Sequence, residues 1–245
     1  MTKIPHAWVR PDLEARLSAH AQTWKKLQQA SPRHPPEVYS FITISRLYGC
    51  EGAMLAHRLV DILNERCHPS FPWVAYDHEL LNKISQEPDR RSAVVEALDS
   101  RRRDQMSRLL NTILNKQADD ASEMRKLAEV VRSLALHGRA VLIGRGSYLI
   151  TQDLKTGLHV KLIAPIDWRA LKVATTREVG HAEARKIVAD GEKQRAHYLH
   201  THFIQHPEHV ITPDLAIDNS RFNLVQIGEI VFTALSARLG KTPRM

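Results

Sequence analysis

An α/β fold with a five-stranded parallel sheet, covered by helices on both faces, is predicted by three observations. Short β-rich apolar runs recur along the chain. Each ends in a polar turn containing Gly, Pro or Asp, and each turn opens an apolar pattern of helical period. That alternation is the signature of strand-crossover-strand units. The third observation is composition: 245 residues with 43% hydrophobic and 25% charged content suffice for one large core.

In chain order, Leu13, Leu17, Trp24 and Leu27 recur at helical spacing and predict a helix over residues 11–30. The proline-rich stretch Ser31 to Pro36 breaks it, since proline removes a donor and biases its predecessor away from helix. Residues 1–38 therefore read as a helical extension plus linker ahead of a domain over 39–240. Tyr39 to Ser45 is the first strand, and the polar loop after it opens a helix with Met54, Leu55, Leu59, Ile62 and Leu63 on one side. Trp73 to Tyr76 is the second strand, followed at Asp77 by another helix.

Residues 90–137 hold no Gly or Pro and read as two helices broken near Asp119 and Asp120, where carboxylates favour a new helix N-terminus. The run Arg101 to Arg103 within them reads as a solvated helix face, with Asp99 and Asp104 interleaved. Arg139 to Ile143 is a strand ending in Gly144-Arg145-Gly146, and Leu158 to Ala164 is another, closed by Pro165 and followed by a helix from Asp167. A polar helix over 181–200, a last strand from Asp214 to Asp218 and an amphipathic helix from Leu224 to Leu239 complete the series.

A net charge of +8 suits an anionic partner without choosing among nucleic acid, nucleotide and acidic surfaces. No run reaches the roughly 18 apolar residues of a membrane span, and the start of the chain lacks an apolar signal region. Two cysteines, Cys50 and Cys67, cannot build a disulfide framework or a four-cysteine zinc site, so a reduced cytoplasmic setting is expected. The residues at the strand ends carry the chemistry, because parallel sheets bind ligands beyond their carboxyl edge. Ser45 to Gly52 supplies two glycines and an arginine for a phosphate cradle at a helix N-terminus, although the G-x-x-x-x-G-K-[ST] pattern is absent.

Five motifs stand in order: Ile42 to Ala56, Tyr76 to Leu81, Gly144 to Gly146, the strand Leu158 to Ala164 with Pro165 and Arg169, and Glu192 to Tyr198. Together they resemble the cytidylate-kinase-like family, relatives of the P-loop nucleoside monophosphate kinases. The resemblance runs from about Tyr39 to Leu239. It implies a P-loop kinase fold with a helical monophosphate-binding region over 77–137 and a lid over 177–210. It also implies ATP, with Mg²⁺, as phosphoryl donor to a CMP-like monophosphate. Carried over, Ser45, Arg46, Gly49, Cys50 and Gly52 would hold the donor phosphates. Asp77 and Arg145 would serve the acceptor, while Arg46, Arg185 and Arg195 would neutralise the migrating group. No metal-ligand set is expected in the protein itself.

The sequence departs from the family at Glu51 and Ala53, where the pattern has Gly and Arg, and at Glu192, where it has Asp. Met54 also stands near the place of the Ser or Thr that would help hold Mg²⁺. A carboxylate in the loop repels phosphate, which makes nucleotide binding without turnover the alternative function. A nucleic-acid module built on Arg90 to Arg108 is least favoured, because it lacks a helix-turn-helix pattern and an aromatic platform. The extension could join two copies of the chain through its apolar stripe. His197, His200, His202, His206 and His209 read as a polar lid tip rather than a zinc site. Helix-terminal amides are expected to lower the pKa of Cys50, and the helix that follows the loop should keep Cys50 and Cys67 apart.

Overall fold

The structure, a computed structural model, describes residues 40–67, 72–98, 100–203 and 212–238. The extension over 1–38, with Leu13, Leu17, Trp24 and Leu27, lies outside the described residues, as do His206 and His209. Five parallel strands form one sheet: β1 (Phe41–Arg46), β2 (Val74–Tyr76), β3 (Ala140–Ile143), β4 (Gly157–Ile163) and β5 (Leu215–Asp218). Their spatial order is β2-β3-β1-β4-β5. The register pairs Ile42 with Val141 and Leu158, and Ile44 with Ile143 and Val160, so the strands end close together at the carboxyl edge.

Period-two alternation on β1 builds both layers. Ile42 and Ile44 point to one face and pack with Val141, Ile143, Val160 and Leu162 under α1 (Gly52–Cys67) and α9 (Leu224–Arg238). Leu55, Leu59 and Leu63 come from α1 and Ile227, Val231 and Leu235 from α9, at helical spacing and all buried. Each such side chain contributes roughly 1.5–3 kcal/mol of burial. Met54 does not belong to this face: it is 43% exposed, because the α1 stripe runs through Leu55 and Ala56 instead.

Phe41 faces the opposite layer, covered by α2 (His78–Gln86), α5 (Ala121–His137) and the short α6 (Ser147–Thr151). Residues 88–137 make three helices rather than two: α3 (Pro88–Glu96), α4 (Ser100–Ile113) and α5. The break at Asp119 and Asp120 falls where the carboxylates place it, with Asp120 at the N-cap of α5. The additional turn lies before Ser100, anchored by buried Leu98. Arg101 is exposed, opposite the buried stripe Met106, Leu110 and Ile113, whereas Arg102 and Arg103 flank that stripe and are half-buried, so the basic run is only in part a solvated face.

Helices α7 (Ile166–Arg177) and α8 (His181–His202) pack on each other through Ala170, Val173, Ala184 and Val188, a small cluster separate from both sheet layers. Among the described residues, no helix is long and apolar enough to cross a membrane.

Candidate functional site

A cavity of about 520 Å³ opens where β1 and β3 end. Ser45 and Arg46 enter it from β1, Gly144 to Leu149 from the turn after β3, His78 from α2, and Gly191, Gln194, Arg195 and Tyr198 from α8. The α8 residues Gly191, Arg195, Tyr198 and His202 recur at steps of four, three and four, so they share one helix face.

Three guanidinium groups converge here. The turn after β3 makes this physically achievable, because Gly144, Arg145 and Gly146 all take positive φ, at 72°, 53° and 67°. Glycine adopts that conformation freely, and Gly144 has a second reason to be glycine: a Cβ there would sit 2.4 Å from Nη1 of Arg46. Arg145, held left-handed between them, lays its guanidinium 5.3 Å from the Tyr198 ring centroid. Its Nε is buried and has no hydrogen-bond partner. Arg195 donates from Nη1 to the carbonyl of Arg46 at 2.8 Å and lies 5.0 Å over the ring of Tyr48.

Together burial and the neighbouring cations hold the Arg46 guanidinium below the ordinary arginine range, at about 10. Burial is the larger cause, followed by Arg195 and, against the pull of Asp77, Arg145. Arg195 is lowered as well, chiefly by burial. Asp77 itself is buried and caps α2, accepting from the Leu80 amide at 3.1 Å.

The loop between β1 and α1 faces another way. Tyr48 is held at both ends of its backbone: its N–H donates to Oε1 of Glu192, and its carbonyl accepts from Nη1 of Arg169 at 2.9 Å. The same Nη1 reaches Glu192 at 2.9 Å. The Glu51 amide donates to Oδ1 of Asn219 at 2.9 Å, while its carboxylate pairs with Lys172 at 3.0 Å. The amides of Leu47, Cys50 and Gly52 are engaged by carbonyls of Leu162, Leu47 and Cys50. Gly49, at φ 90°, lies against Cβ of Arg169, and Gly52 lies against the stem of Arg46.

The residues expected from the sequence thus divide. Ser45, Arg46, Arg145 and Arg195 line one cavity, and Asp77 stands behind it as an electrostatic neighbour of Arg46. Gly49, Cys50 and Gly52 belong to the loop and do not line the cavity. Arg185 pairs with Asp167 on the outer surface and is not among the cavity residues. The expected lowering of Cys50 is reversed: burial pushes this thiol up to about 11, with Glu192 and Asp218 adding to it against Arg169. Cys50 and Cys67 are both free, at opposite ends of α1. His202 is buried beside Tyr198 and Asp120, and the described residues hold no group of three or more potential metal ligands.

Among the cavity residues, Tyr148 carried no sequence signal, while Tyr48, His78 and Gln194 lay inside matched motifs without an assigned role, and Arg169, Lys172 and Asn219 were not singled out as loop partners. Arg169, Glu192 and Tyr198 did carry signals, as members of the matched motifs.

Comparison with known proteins supplies the family. No curated protein matches the sequence. Among solved structures, an uncharacterized protein from Eubacterium ventriosum shares the fold at a TM-score of 0.62 and 16% identity, covering 82% of this chain and 99% of that one. A protein named as a fructose transport system kinase from a Silicibacter species aligns at a TM-score of 0.34 and 14% identity over 85% of this chain and 100% of its own, too low to bear on function. The sequence profile of the cytidylate kinase-like family matches residues 41–221, which take in every strand and the whole arginine-lined cavity. With more than half of its length inside that match, this chain belongs to the cytidylate kinase-like family.

Proposed function

We propose that the chain binds a nucleoside monophosphate of cytidylate type in the arginine-lined cavity and, as a cytoplasmic kinase, accepts a phosphoryl group for it from ATP. The observation that carries this reading is the convergence of Arg46, Arg145 and Arg195 on one cavity at the carboxyl edge of the sheet. Guanidinium forks match phosphate oxygens two at a time, and buried like charges gain most from a dianion placed among them. In such a site Arg145 would hold the acceptor phosphate, with its ring partner Tyr198 fixing the fork. Arg46 and Arg195 would neutralise charge on the transferring group. Residues 77–137 would embrace the acceptor, and residues 177–210, which take in α8, would act as a lid.

The donor side fits less well. Mg²⁺ would neutralise the donor phosphates, but Ala53 and Met54 follow the loop glycine and offer it no oxygen. A second reading, binding without turnover, is favoured by the engagement of the loop amides with Glu192 and Asn219. Titration calorimetry with CMP, UMP, AMP and GMP, followed by ADP production from ATP-Mg²⁺ and the tightest binder, tests both. Monophosphate binding that disappears in Arg145→Ala supports the site, and ADP formation supports transfer. Binding unaffected by Arg145→Ala would sink the first reading.

A further inference from the structure

The loop after β1 is fastened at four points around one residue, two of them from α8 and two from α7. The Tyr48 amide donates to Oε1 of Glu192, and the Tyr48 carbonyl accepts from Arg169, which also reaches Glu192, both at 2.9 Å. The Tyr48 hydroxyl accepts from Arg177 at 2.9 Å, and its ring lies beneath the guanidinium of Arg195. Gly191 permits the approach: a Cβ there would stand 2.2 Å from the ring.

In chemical terms Oε1 of Glu192 receives what a phosphate oxygen would receive, a backbone N–H of the loop and one arm of an arginine. The carboxylate bridges α8 and the loop across 144 positions of sequence. Asp in its place would be one methylene shorter and would draw the oxygen away from the amide.

We infer that Glu192 is the internal occupant of the loop's phosphate seat, so that an entering polyphosphate must displace it from the Tyr48 amide and Arg169. This rests on the reading that the loop is the donor's phosphate seat. Displacement would release α8 from the loop, so occupancy of the loop and position of the helix are linked. The occupant is paired with Arg169, whose own bonds to Ala164 and Tyr48 keep it in place when Glu192 leaves.

The test uses the full chain and inorganic tripolyphosphate, measured by calorimetry, with hydrogen exchange of the peptide spanning residues 47–52. Three variants are compared. Glu192→Gln removes the charge, Glu192→Asp keeps the charge but withdraws it, and Asp190→Asn makes the same charge change at an exposed site on α8. Both Glu192 variants should bind tripolyphosphate roughly tenfold more tightly than wild type, the scale of one charge-assisted contact. Asp190→Asn should stay within about twofold. Without ligand, the peptide should exchange faster in the Glu192 variants and regain protection when tripolyphosphate is added.

Glu192 variants that bind no more tightly than Asp190→Asn would overturn the inference, as would unchanged exchange. Failure of tripolyphosphate to bind any of the proteins would overturn it too. The monophosphate reading is judged separately, by CMP titration of wild type against Arg145→Ala, so the two can fail independently. Glu192→Asp keeps the test decidable should the neutral variant fold poorly.

Discussion

On the β3 side of β1, three guanidinium groups share a cavity with Asp77 as the carboxylate that offsets Arg46. On the β4 side, Arg169 is matched by Glu192 and Lys172 by Glu51. The first region has unspent positive charge and a buried Nε of Arg145 without a partner. The second pairs Arg169 and Lys172 with its own carboxylates and engages backbone donors with its own side chains. Two regions a few residues apart in sequence therefore have opposite appetites for anions. Charge left unpaired in a part-buried cavity favours an outside ligand, whereas a compensated loop already contains its counter-ions.

The sharpest way to break this contrast is at Arg145. Arg145→Ala should lower monophosphate affinity about 30- to 100-fold, the loss of a charge-assisted contact of about 2–3 kcal/mol. Thermal stability should change little, because among the described residues the guanidinium packs on the Tyr198 ring rather than in an ion pair. Calorimetry and a melting curve on the same sample check both halves. An affinity loss below threefold would erase the distinction between the two regions.

A smaller effect is expected from Gly144→Ala. The new methyl would meet the far end of Arg46, a flexible group that can move aside, so the guanidinium rather than the backbone should yield. Affinity should fall about tenfold, while stability drops by about 1–2 kcal/mol for an alanine at φ 72°. If stability falls and affinity does not, Arg46 lies outside the ligand's reach.

What could be read from the sequence follows from the range of each interaction. The sheet, its turns and the helix pattern are local, and they were legible because apolar periodicity and Gly, Pro and Asp punctuation are local signals. So was the Gly144-Arg145-Gly146 turn, though not its three positive φ angles. The bond from Tyr48 to Glu192 was not legible, since nothing local to either residue specifies a partner 144 positions away. Arg185 was grouped with Arg195 because both lie on one helix. Ten residues correspond to about 15 Å of rise and a different face, which carries Arg185 to Asp167 instead. The reversed pKa of Cys50 has the same origin: a helix terminus is visible in sequence, while burial among α7, α8 and the β5 loop is not.

The pH dependence separates the regions more gently. Arg46 titrates at about 10, below the ordinary range of arginine, because burial and its arginine neighbours disfavour the charged form. It is charged at neutrality and loses its proton as pH rises through that value. Monophosphate affinity should accordingly hold steady between about pH 7 and pH 9, where the ligand is already a dianion. Above about pH 10 it should fall several-fold, and binding there should take up protons, since a bound anion raises the pKa of Arg46. Calorimetry in buffers of different ionisation enthalpy reads both quantities. A flat profile to pH 11 in wild type would place Arg46 away from the anion.

The smallest expected effect concerns Glu51, the acid that sequence alone marks as the loop's chief obstacle to phosphate. Its carboxylate is 21% exposed and sits 3.0 Å from Lys172, which itself lies 5.0 Å over the Trp168 ring, and Asn219 approaches its other oxygen at 3.4 Å. The repulsion that Glu51 could exert is thus largely cancelled at short range by Lys172, and solvent screens what remains. Glu51→Gln should alter tripolyphosphate affinity by less than about threefold and stability by about 1 kcal/mol or less, the scale of an ion pair still open to solvent on its Lys172 side. The double change Glu51→Gly with Ala53→Arg is the stronger version, because it removes the acid, frees Lys172 and adds a cation. That protein should gain affinity mainly from the added charge, so Ala53→Arg alone should account for most of its gain. Should Glu51→Gln by itself raise affinity tenfold, Lys172 is not shielding the loop and the two sides of β1 differ less than their ion pairs indicate.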